Sequence, residues 1–212
     1  MSYYAGGDGS IITQLLQLFS TFKTVFVEVL WVLGLLWIIQ LFNSMSGNVL
    51  CVLGIIPRNP IGLLGIIFSP FIHGGFGHLF FNSVPFLLLL SFMMTLGTYT
   101  SICATVTIMI IGGAAVWLFG RHAIHVGASG LIMGYMGFIL YNAYYNANLA
   151  SVVVGIVSLY YLGTILFSLM PDDASTSWEG HVFGFAAGIF AAHFGCLAVF
   201  ASISNFFINL LY

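Results

Sequence analysis

Val25 to Phe42 reads VFVEVLWVLGLLWIIQLF, an apolar run whose only formal charge is Glu28. The hydrocarbon core of a bilayer is about 30 Å thick and takes about 20 such residues to cross as a helix. Working outward, comparable stretches follow at Leu79–Leu96, Ile102–Phe119, Ser129–Tyr145, Ala150–Leu169 and His181–Phe200. Composition agrees with spans rather than with a soluble core. Of 212 residues, 61% are hydrophobic and 4% charged, three basic and five acidic, with a mean hydropathy of +1.13. Soluble domains carry about 25% charged residues, so eight charges cannot solvate a globule of 23.0 kDa. The fold class expected is all-α, a polytopic membrane protein of six transmembrane helices seated in a lipid bilayer. A net charge of -2 with three basic residues excludes a nucleic-acid surface, which needs clustered Lys and Arg.

Three regions are expected. Residues 1–24 form an N-terminal segment, with a flexible start at Gly6, Gly7 and Gly9 and an interfacial amphipathic helix over Ile11–Phe22. Residues 25–201 form the transmembrane domain, and residues 202–212 a C-terminal tail. Met1 to Ser10 lacks the basic region of a signal peptide. Within the domain, Asn43 to Gly77 is apolar but interrupted by Pro57, Pro60 and Pro70, which a helix interior does not accept. Irregular backbone at membrane depth must be packed on protein. This first loop is therefore expected half in the membrane, against the helix bundle. Pro171–Gly180, holding Asp172, Asp173 and Glu179, reads as a mobile polar loop. Cys51, Cys103 and Cys196 are odd in number and widely spaced, and read as small buried hydrophobes. Lys23 falls on one side of the membrane and Arg58 and Arg121 on the other, too few to set orientation by the positive-inside rule.

Polar residues inside spans are expensive, so each needs an explanation. Gly127-Ala128-Ser129-Gly130 opens the fourth span. Taken alone it reads first as an N-cap serine between packing glycines; the functional alternative is a nucleophilic hydroxyl at a helix amino end, where free N–H groups favour developing negative charge. His181 opens the last span with Gly184 and Gly188 on its face. The Gly184–Gly188 and Gly130–Gly134 pairs are small-xxx-small faces that let two helices approach closely, which would bring His181 to Ser129 as a general base. The plain alternative is an interfacial histidine bonded to a backbone carbonyl. His78 and Asn82, one turn apart, could donate into an oxyanion hole or satisfy loop carbonyls, and His73 could order the loop.

The run His73-Gly-Gly-Phe-Gly-His78-Leu-Phe-Phe-Asn82, the Gly127-Ala-Ser129-Gly130 turn and His181-x-x-Gly184-x-x-x-Gly188 resemble, in order and spacing, the motifs of the rhomboid intramembrane serine proteases. The resemblance runs from about Ser69 to the end of the last span. It implies a Ser129–His181 dyad without a catalytic acid, and an oxyanion held by the Ser129 N–H, His78 and Asn82. It also implies support from Gly127, Gly130, Met133, Gly184, Gly188 and His73, with no metal and no cofactor. A water-filled cavity open to the extracytoplasmic side, a short fourth span at its base, and substrate entry beside the fifth span belong to the same picture. So do single-pass transmembrane substrates cut beside small residues, and a home in the bacterial inner membrane. Three departures stand out. Many members have a Trp-Arg pair where this chain reads Leu64-Gly65, a Glu near Met94-Thr95, and a Tyr at Met133. A thioether packs against an imidazole but gives it no O–H bond, so the expectation is a working but slower enzyme.

Competing readings are a rhomboid-like pseudoprotease that binds membrane clients without cleavage, and a small transporter using the histidines. A pseudoprotease normally lacks the serine or histidine. A transporter expects ionisable residues near mid-membrane, whereas these cluster near one surface. Glu179 as third member of a triad is disfavoured by its place in a polar loop. His122 and His125 read as loop histidines, and His193 as a satisfied core residue.

Overall fold

A computed structural model of the chain describes residues 10–163 and 177–211. Seven α-helices lie among them: α1 Ile11–Met45, α2 Gly65–Phe68, α3 Phe76–Thr95, α4 Thr98–Phe119, α5 Ser129–Asn146, α6 Leu149–Leu162 and α7 Trp178–Leu211. The four-residue α2 and three 3-10 turns make up the first loop. Each expected span falls on one of the other six helices, and the chain is a polytopic all-α membrane protein. The far end of the fifth span, Gly6, Gly7, Gly9 and most of Pro171–Gly180 lie outside the described residues.

Three boundaries differ from expectation. A separate interfacial helix over Ile11–Phe22 does not occur; α1 is one unbroken helix of 35 residues. No Gly or Pro interrupts it before Gly34, and Ser10 caps its start by accepting the Thr13 N–H at 3.3 Å. At about 1.5 Å per residue it is roughly 52 Å long, well beyond a hydrocarbon core. At the other end, α7 starts at Trp178, so Glu179 and Gly180 belong to a helix rather than to a polar loop. Gly195, at φ 66° and ψ 161°, then breaks the regular geometry inside the expected last span.

Helix α5 is the hub. Nine consecutive residues, Leu131 to Ile139, are all buried, as befits a helix enclosed on every side. It is packed by α3, α4, α6 and α7. By contrast α1 turns large apolar side chains outward, with Trp31 80% and Ile38 65% exposed, the face a lipid environment accepts.

The first loop packs on α4, as expected of it. Its Pro57–Pro60 turn closes the carboxyl end of that helix. The Arg58 backbone N–H donates to the Trp117 carbonyl (3.0 Å), its Nη1 to the Leu118 carbonyl (2.9 Å), and Trp117 Nε1 returns a bond to the Asn59 carbonyl (2.8 Å). Those helix-end carbonyls have no partner within the helix, and a cation there also complements the helix dipole. Gly65 lies directly against the Gly54 backbone, so a side chain at this position has no room here.

Helices α5 and α7 meet backbone to backbone. A methyl group built on Gly184 would overlap the Gly130 carbonyl, and one on Gly188 the Gly134 carbonyl. The small faces read from the sequence are therefore one seam. Overpacking of this kind typically destabilises by about 1–3 kcal/mol. Gly188→Ala should lower the thermal unfolding midpoint in detergent. Gly34→Ala in α1, where nothing lies within 4 Å of the new methyl, should leave it level or raise it. Equal midpoints for Gly188→Ala and the parent would show that the seam is not close-packed.

Candidate active site

Ser129 is the first residue of α5 and follows a tight turn. Gly127 holds φ +117°, a conformation L side chains rarely adopt. A methyl group on it would stand 2.6 Å from His78 Cε1, 2.8 Å from His78 Nε2 and 3.5 Å from Asn82 Nδ2. The conformation calls for glycine, and the groups nearest to it are the two side chains expected as oxyanion donors, with the His78 ring the tighter of the two. Those two ride on the first two turns of α3, one turn apart on a shared face.

The turn is tethered residue by residue. The Gly127 N–H donates to the Ser69 carbonyl (2.9 Å) and the Ala128 N–H to His73 Nε2 (3.2 Å). His73 is fully buried, and its own carbonyl accepts from Asn43 Nδ2 (3.1 Å), which ties the loop to α1. Because Nε2 accepts, His73 must be neutral. Burial, reinforced by the neighbouring His78 ring, lowers its pKa to about 3.

His181 lies in the first turn of α7, and its backbone N–H donates to the Ser177 carbonyl (3.3 Å). A cavity of about 770 Å³ is lined by Ser129, His181, His78 and Asn82 together, with Met133 and Pro85 on its wall. Met133 is buried one turn beyond Ser129. Among the described residues Asn82 Nδ2 is buried without an acceptor, whereas buried amide donors are normally paired. Behind Ser129, a second hollow of about 60 Å³ reaches toward Pro70, Met109 and Gly113.

Other candidates fall differently. Glu179, expected in a polar loop, is 4% exposed; its Oε1 accepts the Arg121 N–H (3.3 Å) and lies 3.6 Å from Arg121 Nε. It is turned to Arg121, away from a triad role. His125, expected as a plain loop histidine, is buried: its backbone pairs with Ile55 through two 2.9 Å bonds, and its ring contacts Ser177 Oγ and the Arg121 carbonyl. Ser177 and His125 both line the large cavity. His122 is exposed. His193 is exposed rather than in the core, its ring bonded to the Tyr141 hydroxyl.

The family model described as Rhomboid domain matches residues 61–198. An uncharacterized protein of Mycobacterium tuberculosis is 38% identical over 175 residues, which cover 78% of this chain and 72% of the relative. An uncharacterized protein of Mycobacterium leprae is 32% identical over 177 residues, covering 79% and 70% respectively.

The His73–Ala128 bond carries a prediction. His73→Ala leaves a buried N–H without an acceptor, at a cost of about 1–3 kcal/mol near neutral pH. The folded protein holds this ring neutral down to about pH 3, whereas the unfolded chain takes up its proton near 6.5. The contribution is complete above about pH 6.5 and is lost as pH falls toward 3. Thermal unfolding midpoints at about pH 7 and about pH 4.5 should therefore fall further in the parent than in His73→Ala. Equal falls would remove His73 as the acid-sensitive tether.

Proposed function

The chain belongs to the rhomboid family, and from that premise we propose that it is an intramembrane serine endopeptidase that cuts single-pass transmembrane proteins. Ser129 is the nucleophile and His181 the general base. The observation that carries this reading is the one cavity shared by Ser129, His181, His78 and Asn82, with the Asn82 amide lacking an acceptor of its own among the described residues. A wet hollow is what hydrolysis inside a bilayer needs, because the hydrocarbon core offers no water.

The chemistry follows from these groups. Ser129 Oγ bonds to the scissile carbonyl carbon as its proton passes to His181. The carbonyl oxygen becomes an oxyanion, stabilised by the Ser129 N–H at the start of α5, the His78 imidazole and the Asn82 Nδ2 donor. His181 gives its proton to the leaving amine as the C–N bond breaks. Water then adds to the acyl-enzyme, its proton going to His181 and back to Ser129 Oγ as the acid departs. No step calls for a metal or cofactor. Membership of the family favours a bacterial inner membrane, with the cavity opening to the extracytoplasmic side.

Labelling of detergent-purified protein with a fluorophosphonate tests the dyad. The parent should label, and Ser129→Ala and His181→Ala should not. Absence of labelling in the parent would favour a client-binding, non-cleaving protein, and labelling retained in Ser129→Ala would dismiss the assigned nucleophile. His78→Ala and Asn82→Ala should each slow cleavage of a transmembrane reporter by roughly 10-fold or more, the effect of losing an oxyanion donor. Unaltered turnover in both would refute that role.

A further inference from the structure

Two polar pairs outside the dyad join the segment that leads into Ser129 to the first turn of the helix that carries His181. The first is His125 with Ser177: His125 Nδ1 lies 2.6 Å from Ser177 Oγ, and His125 Nε2 lies 3.1 Å from the Arg121 carbonyl. A carbonyl only accepts, so in the neutral ring Nε2 carries the hydrogen and Nδ1 accepts the Ser177 O–H. The same Ser177 oxygen caps α7 by accepting the Gly180 N–H (3.3 Å). The second pair is Arg121 with Glu179, joined by a backbone N–H bond (3.3 Å) and a 3.6 Å ion pair.

Neither end of this arrangement is loose. His125 lies four residues before Ser129, and its backbone is paired with Ile55 on the first loop. Ser177 lies four residues before His181, and the Ser177 carbonyl receives the His181 N–H (3.3 Å), so the residue that meets His125 also anchors the base's backbone. Between them, Gly127 and Ala128 are tied to Ser69 and His73. His125, Ser177 and Glu179 are all buried or half-buried, and His125 and Ser177 face the cavity of Ser129 and His181.

We propose that His125–Ser177 and Arg121–Glu179 form a two-point clasp that sets the aim of His181 toward Ser129, with His125 and Ser177 as positioning residues for the cleavage step. The inference rests on the protease reading above and adds to it. His181 rides on the first turn of α7, so where that turn is held sets where the ring can point. Reacting groups misplaced by about 1 Å lose about 100-fold in rate, so an anchor one helical turn from the base acts chiefly on turnover.

The experiment measures kcat and KM on a transmembrane reporter, fluorophosphonate labelling rate and thermal unfolding, in the intact 212-residue chain. His125→Ala and Ser177→Ala should lower kcat and the labelling rate about 10-fold or more, with KM within about twofold of the parent and most of the protein still folded. Ser177→Thr, which keeps the hydroxyl for both the cap and His125, should restore most of the rate. Parent-like rates in both alanine variants, alongside an inert Ser129→Ala, would overturn the clasp and leave the protease reading standing. Rates that fall only in proportion to the folded fraction, or a Ser177→Thr no faster than Ser177→Ala, would also overturn it. A parent that never labels would sink the protease reading and the clasp with it.

Discussion

Where α7 meets α5, glycine stands against carbonyl, and that contact governs the geometry of everything around it. Gly184 faces the Gly130 carbonyl and Gly188 the Gly134 carbonyl, with no side chain between the members of either pair. Lipid tails are as apolar as leucine, so helix association in a membrane depends on close packing and polar contacts rather than on exclusion of water. Cα–H groups aimed at carbonyl oxygens add about 0.5–1 kcal/mol each to such a seam. Ser129 immediately precedes Gly130, and His181 lies three residues before Gly184. The spacing of the two backbones that carry the hydroxyl and the imidazole is therefore set by backbone contact, which leaves less freedom than a layer of packed side chains.

The seam fixes one axis; satisfaction of buried polar groups fixes the rest. The first loop is irregular, and its backbone groups must find partners within the protein. Asn43 supplies several at once: its Nδ2 donates to the His73 carbonyl (3.1 Å) and its Oδ1 accepts the Leu50 N–H (2.9 Å). His73 passes the constraint on by accepting the Ala128 N–H, and Ser69 holds Gly127. A chain of bonds thus runs from α1 through the first loop to the residues just before Ser129. The same loop closes the carboxyl end of α4 through Arg58 and Asn59. Its proline-broken sequence allows short turns that reach both places, which a seventh span could not do.

Much of this was legible in the sequence, for reasons specific to particular residues. Apolar runs located the six helices other than α2 because each carries its own signal. The four seam glycines were legible because their spacing is local and their meaning, close approach, is general. Boundaries were harder. Nothing between Ile11 and Val32 signals continuity of α1 more strongly than a separate surface helix, since a long apolar helix and an amphipathic one share a period. The start of α7 was blurred by three consecutive hydroxyl residues, Ser175, Thr176 and Ser177, any of which can cap a helix. Glu179 in the first turn was the usable clue, because an acid there complements the helix dipole. His125 was the true miss: its ring partner lies 52 residues away, and no periodicity registers a contact made by folding.

The Arg121–Glu179 pair shows how stability and precision part company in this protein. The chain has only eight formally charged residues, and two of them meet beside the candidate site. Glu179 is 4% exposed and its Oε2 lacks a partner among the described residues, while the Arg121 side chain is about one-third exposed. Desolvating a carboxylate this way offsets most of the attraction it gains, so apolar residues of like volume would hold the fold as well or better. What an apolar pair lacks is direction. The carboxylate accepts one backbone N–H and faces one guanidinium, and so admits few orientations of the first turn of α7. The seam sets how far His181 stands from Ser129, whereas rotation of that turn about the helix axis sets where the imidazole points. A glycine contact three residues downstream resists sliding better than twisting, and directional bonds at Ser177 and Glu179 resist the twist.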